Sequence, residues 1–282
     1  MDKYRRRQST VLISDIRNFT AVFESFRKQK CGGFLEFMET YYSLGLKLAA
    51  LVSGRRDYFI NTSGDGILII FLDRSHQCRG FLCGLLMYQL MESICRDFNK
   101  KWGTGVSFGI GLESGAVHRI IGRNLSRQFV TYLGSVINVA SRIENTTKHY
   151  HRTKMIIGER LYRELVKNLF HAQYEKIVKQ SSRRLKNYHE IVNHHNELNK
   201  LTQHLMLFYL FEHSLTGVEE SIPLFRLSPT LADIKKDSFY QIVRRLSESP
   251  QRYQQIRLFL REFDLHTCTL PKNPLQSPLP AE

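Results

Sequence analysis

Tyr58-Phe-Ile-Asn-Thr-Ser-Gly64-Asp65-Gly66-Ile-Leu-Ile-Ile-Phe71 sets two runs of β-branched, aliphatic and aromatic residues on either side of a Ser-Gly-Asp-Gly turn. The flanks predict strands, and the turn predicts a β-hairpin with one carboxylate at its tip. Taken alone, an Asp-Gly pair is an ordinary hairpin turn. Two further stretches change its meaning. Val11-Leu-Ile-Ser-Asp15-Ile-Arg-Asn-Phe-Thr20 reads as a strand that ends in a carboxylate and runs into a helix. Asn138-Val-Ala-Ser-Arg142 places an amide and a guanidinium four residues apart, on one face of a helix.

These three segments, in this order, resemble the class III nucleotidyl cyclases. Family members carry a strand-end Asp followed by Ile and a Phe-Thr pair, matched by Asp15, Ile16, Phe19 and Thr20. They carry a hairpin Gly-Asp, matched by Gly64-Asp65, and a Gly-x-x-(Val/Ile)-Asn-x-Ala-x-Arg motif, matched by Gly134 to Arg142. Each motif is weak alone, but three in order at natural spacing are specific, and the likeness covers residues 8–193.

The resemblance implies the conversion of a nucleoside triphosphate to a 3′,5′-cyclic nucleotide with two Mn²⁺ or Mg²⁺ ions per site. Hard divalent ions suit carboxylate and carbonyl oxygens. Asp15 and Asp65 would hold them with the backbone carbonyl of Ile16. Backbone N–H groups around Phe19 and Thr20 would meet phosphate oxygens at a helix N-terminus. Asn138 would orient the ribose, and Arg142 would stabilise charge on the α-phosphate. Arg127 would reach the terminal phosphates. A further phosphate-binding cation is expected among Lys179, Arg183, Arg184 and Lys186. The family's sites are shared across a head-to-tail homodimer, metal carboxylates coming from one subunit and Asn138 with Arg142 from the other. The isolated readings are an N-cap for Asp15 and a solvated helix face for Asn138 and Arg142. The presence of the whole set also weighs against an inactive cyclase-like nucleotide-binding module.

The base pocket departs from the familiar pattern. Adenylate-forming members usually carry Lys four residues before the hairpin Asp, and guanylate-forming members carry Glu; Asn61 stands here. The partner position is Thr131, where adenylate enzymes often have Asp or Thr and guanylate enzymes Cys. GTP is therefore disfavoured. An amide both donates and accepts, so Asn61 suits a cytosine or uracil edge. A ring smaller than a purine leaves volume for an aromatic to fill, with Tyr58, Phe59 and Tyr132 as candidates. The chain is similar in this to the pyrimidine cyclases of bacterial Pycsar anti-phage systems, which implies a separate cyclic-nucleotide-responsive effector. Adenylate cyclase activity is the alternative.

Composition bounds the rest. The net charge is +15, and residues 194–282 hold ten Lys/Arg and ten Asp/Glu, so the excess lies in residues 1–193. All 7 prolines fall after residue 222. Both shifts predict a basic catalytic domain over 1–193, a helical extension over 194–268 and a Pro-rich disordered tail over 269–282. No signature of a nucleic-acid-binding fold accompanies the charge, so nucleic acid is not the expected partner. There is no apolar run long enough for a stable membrane span and no signal peptide. The expected organisation is a catalytic domain that begins almost at the first catalytic strand, without a sensor segment. Five cysteines with no Cys-x-x-Cys pair suit reduced thiols in the cytoplasm. His149, His151, His194 and His195 match no tetrahedral metal spacing and read as surface histidines.

Strands are expected over Thr10–Ser14, the hairpin, Val106–Glu113, Ala116–Ile121, Phe129–Leu133, Met155–Ile157, Tyr174–Lys179 and Lys186–Val192. Ser114-Gly115 reads as a second hairpin turn. Helices are expected over Phe19–Arg27, Gly33–Leu51, Cys78–Phe98, Ser135–Thr146, Glu159–Leu169, Leu201–Phe211, Leu231–Leu246 and Pro250–Phe263. The fold class is α+β: a sandwich of a mostly antiparallel sheet with helices.

Overall fold

The computed structural model of the chain describes residues 4–28, 32–54, 58–72, 74–124, 127–150, 153–169, 207–214, 221–227, 236–247 and 249–262. Its central strand is β1 (Tyr4–Arg17), and the reason is its composition. Leu12 and Ile16 point to one face of the sheet, Val11 and Ile13 to the other, and both faces are covered. β1 pairs antiparallel with β3 (Gly66–Leu72) on one side and with β4 (Ser107–Asn124) on the other. The remaining strands are β2 (Tyr58–Ser63), β5 (Arg127–Leu133), β6 (Met155–Gly158), β7 (Leu207–His213) and β8 (Ile222–Leu227). The order is β2-β3-β1-β4-β6-β8-β7, with β5 paired to β4. Among the described strands, only the β4–β6 pairing is parallel. The α+β class expected from the sequence is what the chain adopts.

Helices α1 (Phe19–Lys28), α2 (Gly33–Ser53), α3 (His76–Trp102), α4 (Ser135–Thr146), α5 (Glu159–Leu169), α6 (Lys236–Leu246) and α7 (Pro250–Glu262) complete the described residues, with a 3-10 turn at Thr147–His149. The larger core lies under α2 and α3, where Phe34, Tyr41, Leu48, Phe81, Leu85 and Leu86 meet Leu12, Ile69, Phe71, Phe108, Ile110 and Leu112. Cys78, Cys83 and Cys95 are buried there. The smaller core lies under α4, where Val136 and Ala140 meet Val11, Ile70 and Val117. No helix among the described residues is long and apolar enough to cross a membrane.

Two expectations are corrected. Ser114-Gly115 is not a turn. β4 runs unbroken through it, with Ser9 opposite Gly115 and the Ser9 hydroxyl donating to the Gly115 carbonyl at 2.9 Å. The glycine answers to packing, since a Cβ there would lie 2.7 Å from Val136 Cβ. The apolar run ending at Phe211 is a strand over Leu207–His213, not a helix. A short apolar run does not distinguish buried strand from buried helix, and its Phe and Tyr content favours the pleat. β7 pairs with β8, and β8 with β6, so the sheet continues beyond the boundary drawn at residue 193. Tyr162 of α5 stacks on Phe225 of β8 with centroids 3.6 Å apart, tying these strands to the core. α6 and α7 form near the expected limits and contact α3 and α2 respectively. The strands expected over 174–192 and the tail over 269–282 lie outside the described residues.

Glu113 of β4 is a buried carboxylate at the start of α5. It accepts the Leu161 N–H at 2.9 Å and the Ser114 N–H at 2.8 Å. The first of these is one of the donors that a helix N-terminus leaves unpaired. Burial pushes its pKa from 4.5 up to about 7, against the pull of those two hydrogen bonds. A raised carboxyl pKa means that the folded state holds its proton longer than the unfolded chain. Stability from this group is present below pH 4.5 and is lost as pH climbs through 7, by a few kcal/mol at most. We expect urea unfolding to show wild-type stability falling between pH 5 and 7.5 more steeply than that of Glu113→Gln. Parallel slopes would contradict this.

Candidate active site

The last residues of β1 meet the β2–β3 turn. Asp15 stands opposite Gly66 on β3 and Gly109 on β4. Gly64 takes φ 61°, a left-handed value that a Cβ disfavours, and so turns Asp65 back toward β1. The Ile16 N–H donates to the Asp65 carbonyl at 3.0 Å, locking strand end to turn. The two expected metal carboxylates and Ile16 are thus brought together. Burial holds the Asp15 carboxyl above the usual range, and the neighbouring Asp65 charge raises it further. The Lys148 ammonium, 3.5 Å from Asp15 Oδ2, pulls it back.

This donor set fits a hard divalent ion. Two like charges share a half-buried site, and a cationic side chain lies against one of them. Asp15, Asp65 and the Ile16 carbonyl would hold such an ion, with water and phosphate oxygens completing its shell. No group of three or more His, Cys, Asp or Glu side chains is arranged for a metal among the described residues.

Asn18, at φ 61°, makes the sharp entry into α1, and its side-chain amide donates to the Gly105 carbonyl at 2.8 Å. Phe19 opens α1 half-buried, its ring stacked on Phe23 at 5.8 Å and tilted on Phe34 at 5.5 Å. Thr20 is exposed, and the first turn carries no acidic side chain. The first N–H groups of a helix have no partner within it and suit phosphate oxygens.

Three groups near the carboxylates escaped the sequence reading. Glu144 and Thr147, from the end of α4 and the turn after it, are buried, and Lys148 follows. Burial pushes the Glu144 carboxyl up to about 7, with Lys148 opposing and Asp15 reinforcing the rise. Glu144 Oε1 and Arg17 Nε are buried without a hydrogen-bond partner. Arg17, at the end of β1, donates to Thr147 Oγ1. Burial lowers its pKa, and Glu144 and then Asp15 oppose that fall. The one legible signal was the i, i+4 spacing of Glu144 and Lys148. What brings them to Asp15 is a glycine track on β4: Cβ atoms at Gly109 and Gly111 would lie 2.2 Å from Glu144 Oε1 and 2.3 Å from its backbone nitrogen.

Asn138 and Arg142 share a face of α4, but not the face that packs on the sheet. Val136, Ala140, Ile143 and Glu144 form the buried stripe, and Arg142 lies roughly 200° around the helix from Glu144. Asn138 is exposed; Arg142 is half-buried, with its Nη1 enclosed and unpartnered. Neither is among the groups that act on Asp15. One chain therefore assembles the carboxylates and leaves the amide and guanidinium aimed elsewhere.

Asn61 is exposed on β2, on the same face as Phe59, whose ring meets Tyr132 of β5 at 5.1 Å. Tyr58 points to the opposite face and packs against the larger core, which removes it from the aromatics proposed to line a base pocket. Thr131 is half-buried on β5. Arg127 opens that strand opposite Asn124. His149 is exposed as expected. Lys179, Arg183, Arg184, Lys186, His151, His194 and His195 lie outside the described residues.

Residues 1–194 match the family described as the adenylate and guanylate cyclase catalytic domain. An adenylate cyclase of Anabaena cylindrica is 31% identical over 163 residues, which is 56% of this chain and 31% of that protein, so this chain spans about a third of its relative. The adenylyl cyclase CyaB of P. aeruginosa superposes with a TM-score of 0.55 at 16% identity, over 82% of this chain and 99% of that one. The guanylate cyclase domain of RhGC from Catenaria anguillulae, solved in complex with GTP, superposes with a TM-score of 0.50 at 17% identity, over 79% and 98%. At these identities the superpositions speak for the fold.

The glycine track yields a sharp expectation. Gly109→Ala should lower stability by about 1–3 kcal/mol through overpacking against Glu144, Thr147 and Arg17. Gly32→Ala, where a Cβ meets nothing within 4 Å, is the control. Thermal melts in which both variants match wild type would contradict the packing described.

Proposed function

The chain belongs to the adenylate and guanylate cyclase catalytic-domain family, and we propose that it converts a nucleoside triphosphate, preferably UTP or CTP, into a 3′,5′-cyclic nucleotide and pyrophosphate. The observation that carries this reading is the convergence of Asp15 and Asp65 across the Ile16–Asp65 hydrogen bond. In the reaction the ribose 3′-hydroxyl loses its proton and its oxygen attacks the α-phosphorus. A bond from that oxygen to phosphorus forms, the α–β bridging bond breaks in line, and pyrophosphate leaves. Divalent ions on the two carboxylates, Mn²⁺ or Mg²⁺, supply an acidified hydroxyl and neutralised phosphate charge when bound. The first turn of α1 holds phosphate oxygens with the N–H groups around Phe19 and Thr20, with Arg127 reaching toward the terminal phosphates. Asn138 orients the ribose, and Arg142 meets the charge that grows on the α-phosphate.

Because Asn138 and Arg142 face away from the carboxylates of their own chain, a complete site takes them from a second copy. The working form is a head-to-tail homodimer with shared sites. Mixing Asp65→Ala with Arg142→Ala protein then restores turnover, since one of the two sites in the heterodimer holds no substitution. Subunit exchange without recovered activity would rule the shared site out.

Asn61 reads the base edge, with Thr131 beside it, and the Phe59–Tyr132 pair fills volume that a purine would need. Support for a pyrimidine is the amide at Asn61 and the paired rings on its face. The product would act on a separate effector in anti-phage signalling. The likeness to a named adenylate cyclase favours a second reading, cyclic AMP formation from ATP. Asn61→Ala separates them: on the first reading it erodes discrimination among triphosphates more than maximal rate, because an unmatched base leaves buried polar groups unpaired. Efficient wild-type cyclic AMP formation with UTP and CTP untouched would overturn the pyrimidine assignment.

A further inference from the structure

Two consecutive side chains of α2 reach the two metal-carboxylate segments separately. Tyr41, fully buried, donates its hydroxyl to Ser14 Oγ at 3.0 Å. Tyr42, half-buried, donates its hydroxyl to the Gly64 carbonyl. Ser14 is the residue before Asp15, and Gly64 is the residue before Asp65. Neighbouring positions on a helix diverge by about 100°, so both contacts form only where strand end and turn wrap the same turn of α2. The helix approaches closely enough because Gly45, one turn on, has no side chain: a Cβ there would lie 2.8 Å from Ile67 Cδ1. The rings of Tyr41 and Tyr42 stand 5.6 Å apart and tilted.

We propose that Tyr41 and Tyr42 are positioning residues that fix the Asp65 turn relative to Asp15, with the Tyr42 hydroxyl as the link that sets Asp65. The inference rests on the reading of Asp15 and Asp65 as a divalent-ion site. The turn needs such a link. Asn61 to Gly64 are all exposed, and a Cβ at Gly64 would touch nothing within 4 Å, so side-chain packing does not hold the tip. Two hydrogen bonds from outside the hairpin reach it, from the Ile16 N–H and from Tyr42. The Ile16 bond fixes the distance between strand end and turn, and the Tyr42 bond, arriving from the helix, fixes the tilt. The phenol also lies within reach of the Asp65 charge, which adds to burial in raising its pKa.

Tyr42→Phe keeps the ring and removes the bond. Titrating Mn²⁺ alone into the full chain, with free Mn²⁺ read by its electron paramagnetic resonance signal, should show binding weakened about three- to tenfold, the size of one neutral hydrogen bond. Tyr41→Phe should weaken it in the same direction. The melting temperature of Tyr42→Phe falls by no more than a few degrees, and amide exchange at Gly64–Gly66 becomes faster. In turnover assays, saturating Mn²⁺ restores the Tyr42→Phe rate, which a general structural defect would not allow. Equal Mn²⁺ affinity and equal exchange in wild type and Tyr42→Phe would overturn the proposal while leaving the metal site standing. Absence of Mn²⁺ binding to the wild type would instead overturn the carboxylate-pair reading, and this inference with it.

Discussion

One hydrogen bond, from the Ile16 N–H to the Asp65 carbonyl, is the constraint on which the candidate site depends. It joins the end of the central strand to a turn that is adjacent in space but 49 residues away in sequence. β1 is held on both sides, by β3 and β4, so its end is a fixed point. The turn is not fixed in that way. It protrudes from a two-stranded edge and takes its place from β1. The bond therefore turns a protruding hairpin tip into half of a dicarboxylate site. The cost is visible in the raised pKa of Asp15, where burial and the neighbouring charge both oppose ionisation. A cation repays that cost. Lys148 supplies one charge in the structure described, and two hard ions would supply more.

The second constraint is the bare face of β4. Gly109 and Gly111 alternate with the core residues Phe108, Ile110 and Leu112, so along this stretch one face of the strand is filled and the other is hollow. The hollow face receives α4 at backbone contact. That closeness carries Glu144, Thr147 and Lys148 to the carboxylates. It also fixes which side of α4 faces outward, and hence where Asn138 and Arg142 point. A single strand's residue pattern thus sets both what surrounds Asp15 within the chain and which side chains of α4 face away from the sheet.

Much of this was legible in the sequence, and the failures have definite causes. Hairpin, strand-end Asp and Asn-x-x-x-Arg helix were readable because each has local chemistry: a Gly-Asp-Gly turn, a run of apolar β-formers, an i, i+4 pair. Ser114-Gly115 misled because glycine was read as a turn residue when it answers to Val136, a contact invisible in local sequence. The run ending at Phe211 misled because its apolar residues satisfy a buried helix as well as a buried strand, and only pairing with β8 decides. Glu144 and Arg17 went unread as a cluster because their meeting depends on two glycines more than thirty residues before one and ninety beyond the other. Tyr41 lies at helical spacing with the buried Phe34, Phe37, Met38, Leu44 and Leu48 of α2, and Tyr42 beside it is half-buried. The sequence did not carry where their hydroxyls end.

The central claim is that Asp15 and Asp65, held together by the Ile16 bond, form the ion site of a nucleotidyl cyclase. The most direct test incubates the purified chain with each of ATP, GTP, CTP and UTP in Mn²⁺ and identifies products by mass, beside Asp15→Ala and Asp65→Ala proteins shown to melt as wild type does. The account predicts pyrophosphate and a 3′,5′-cyclic monophosphate from at least one pyrimidine triphosphate, abolished by EDTA and by either substitution. A cyclic product that persists in EDTA or in both variants, or none from any triphosphate, would contradict it.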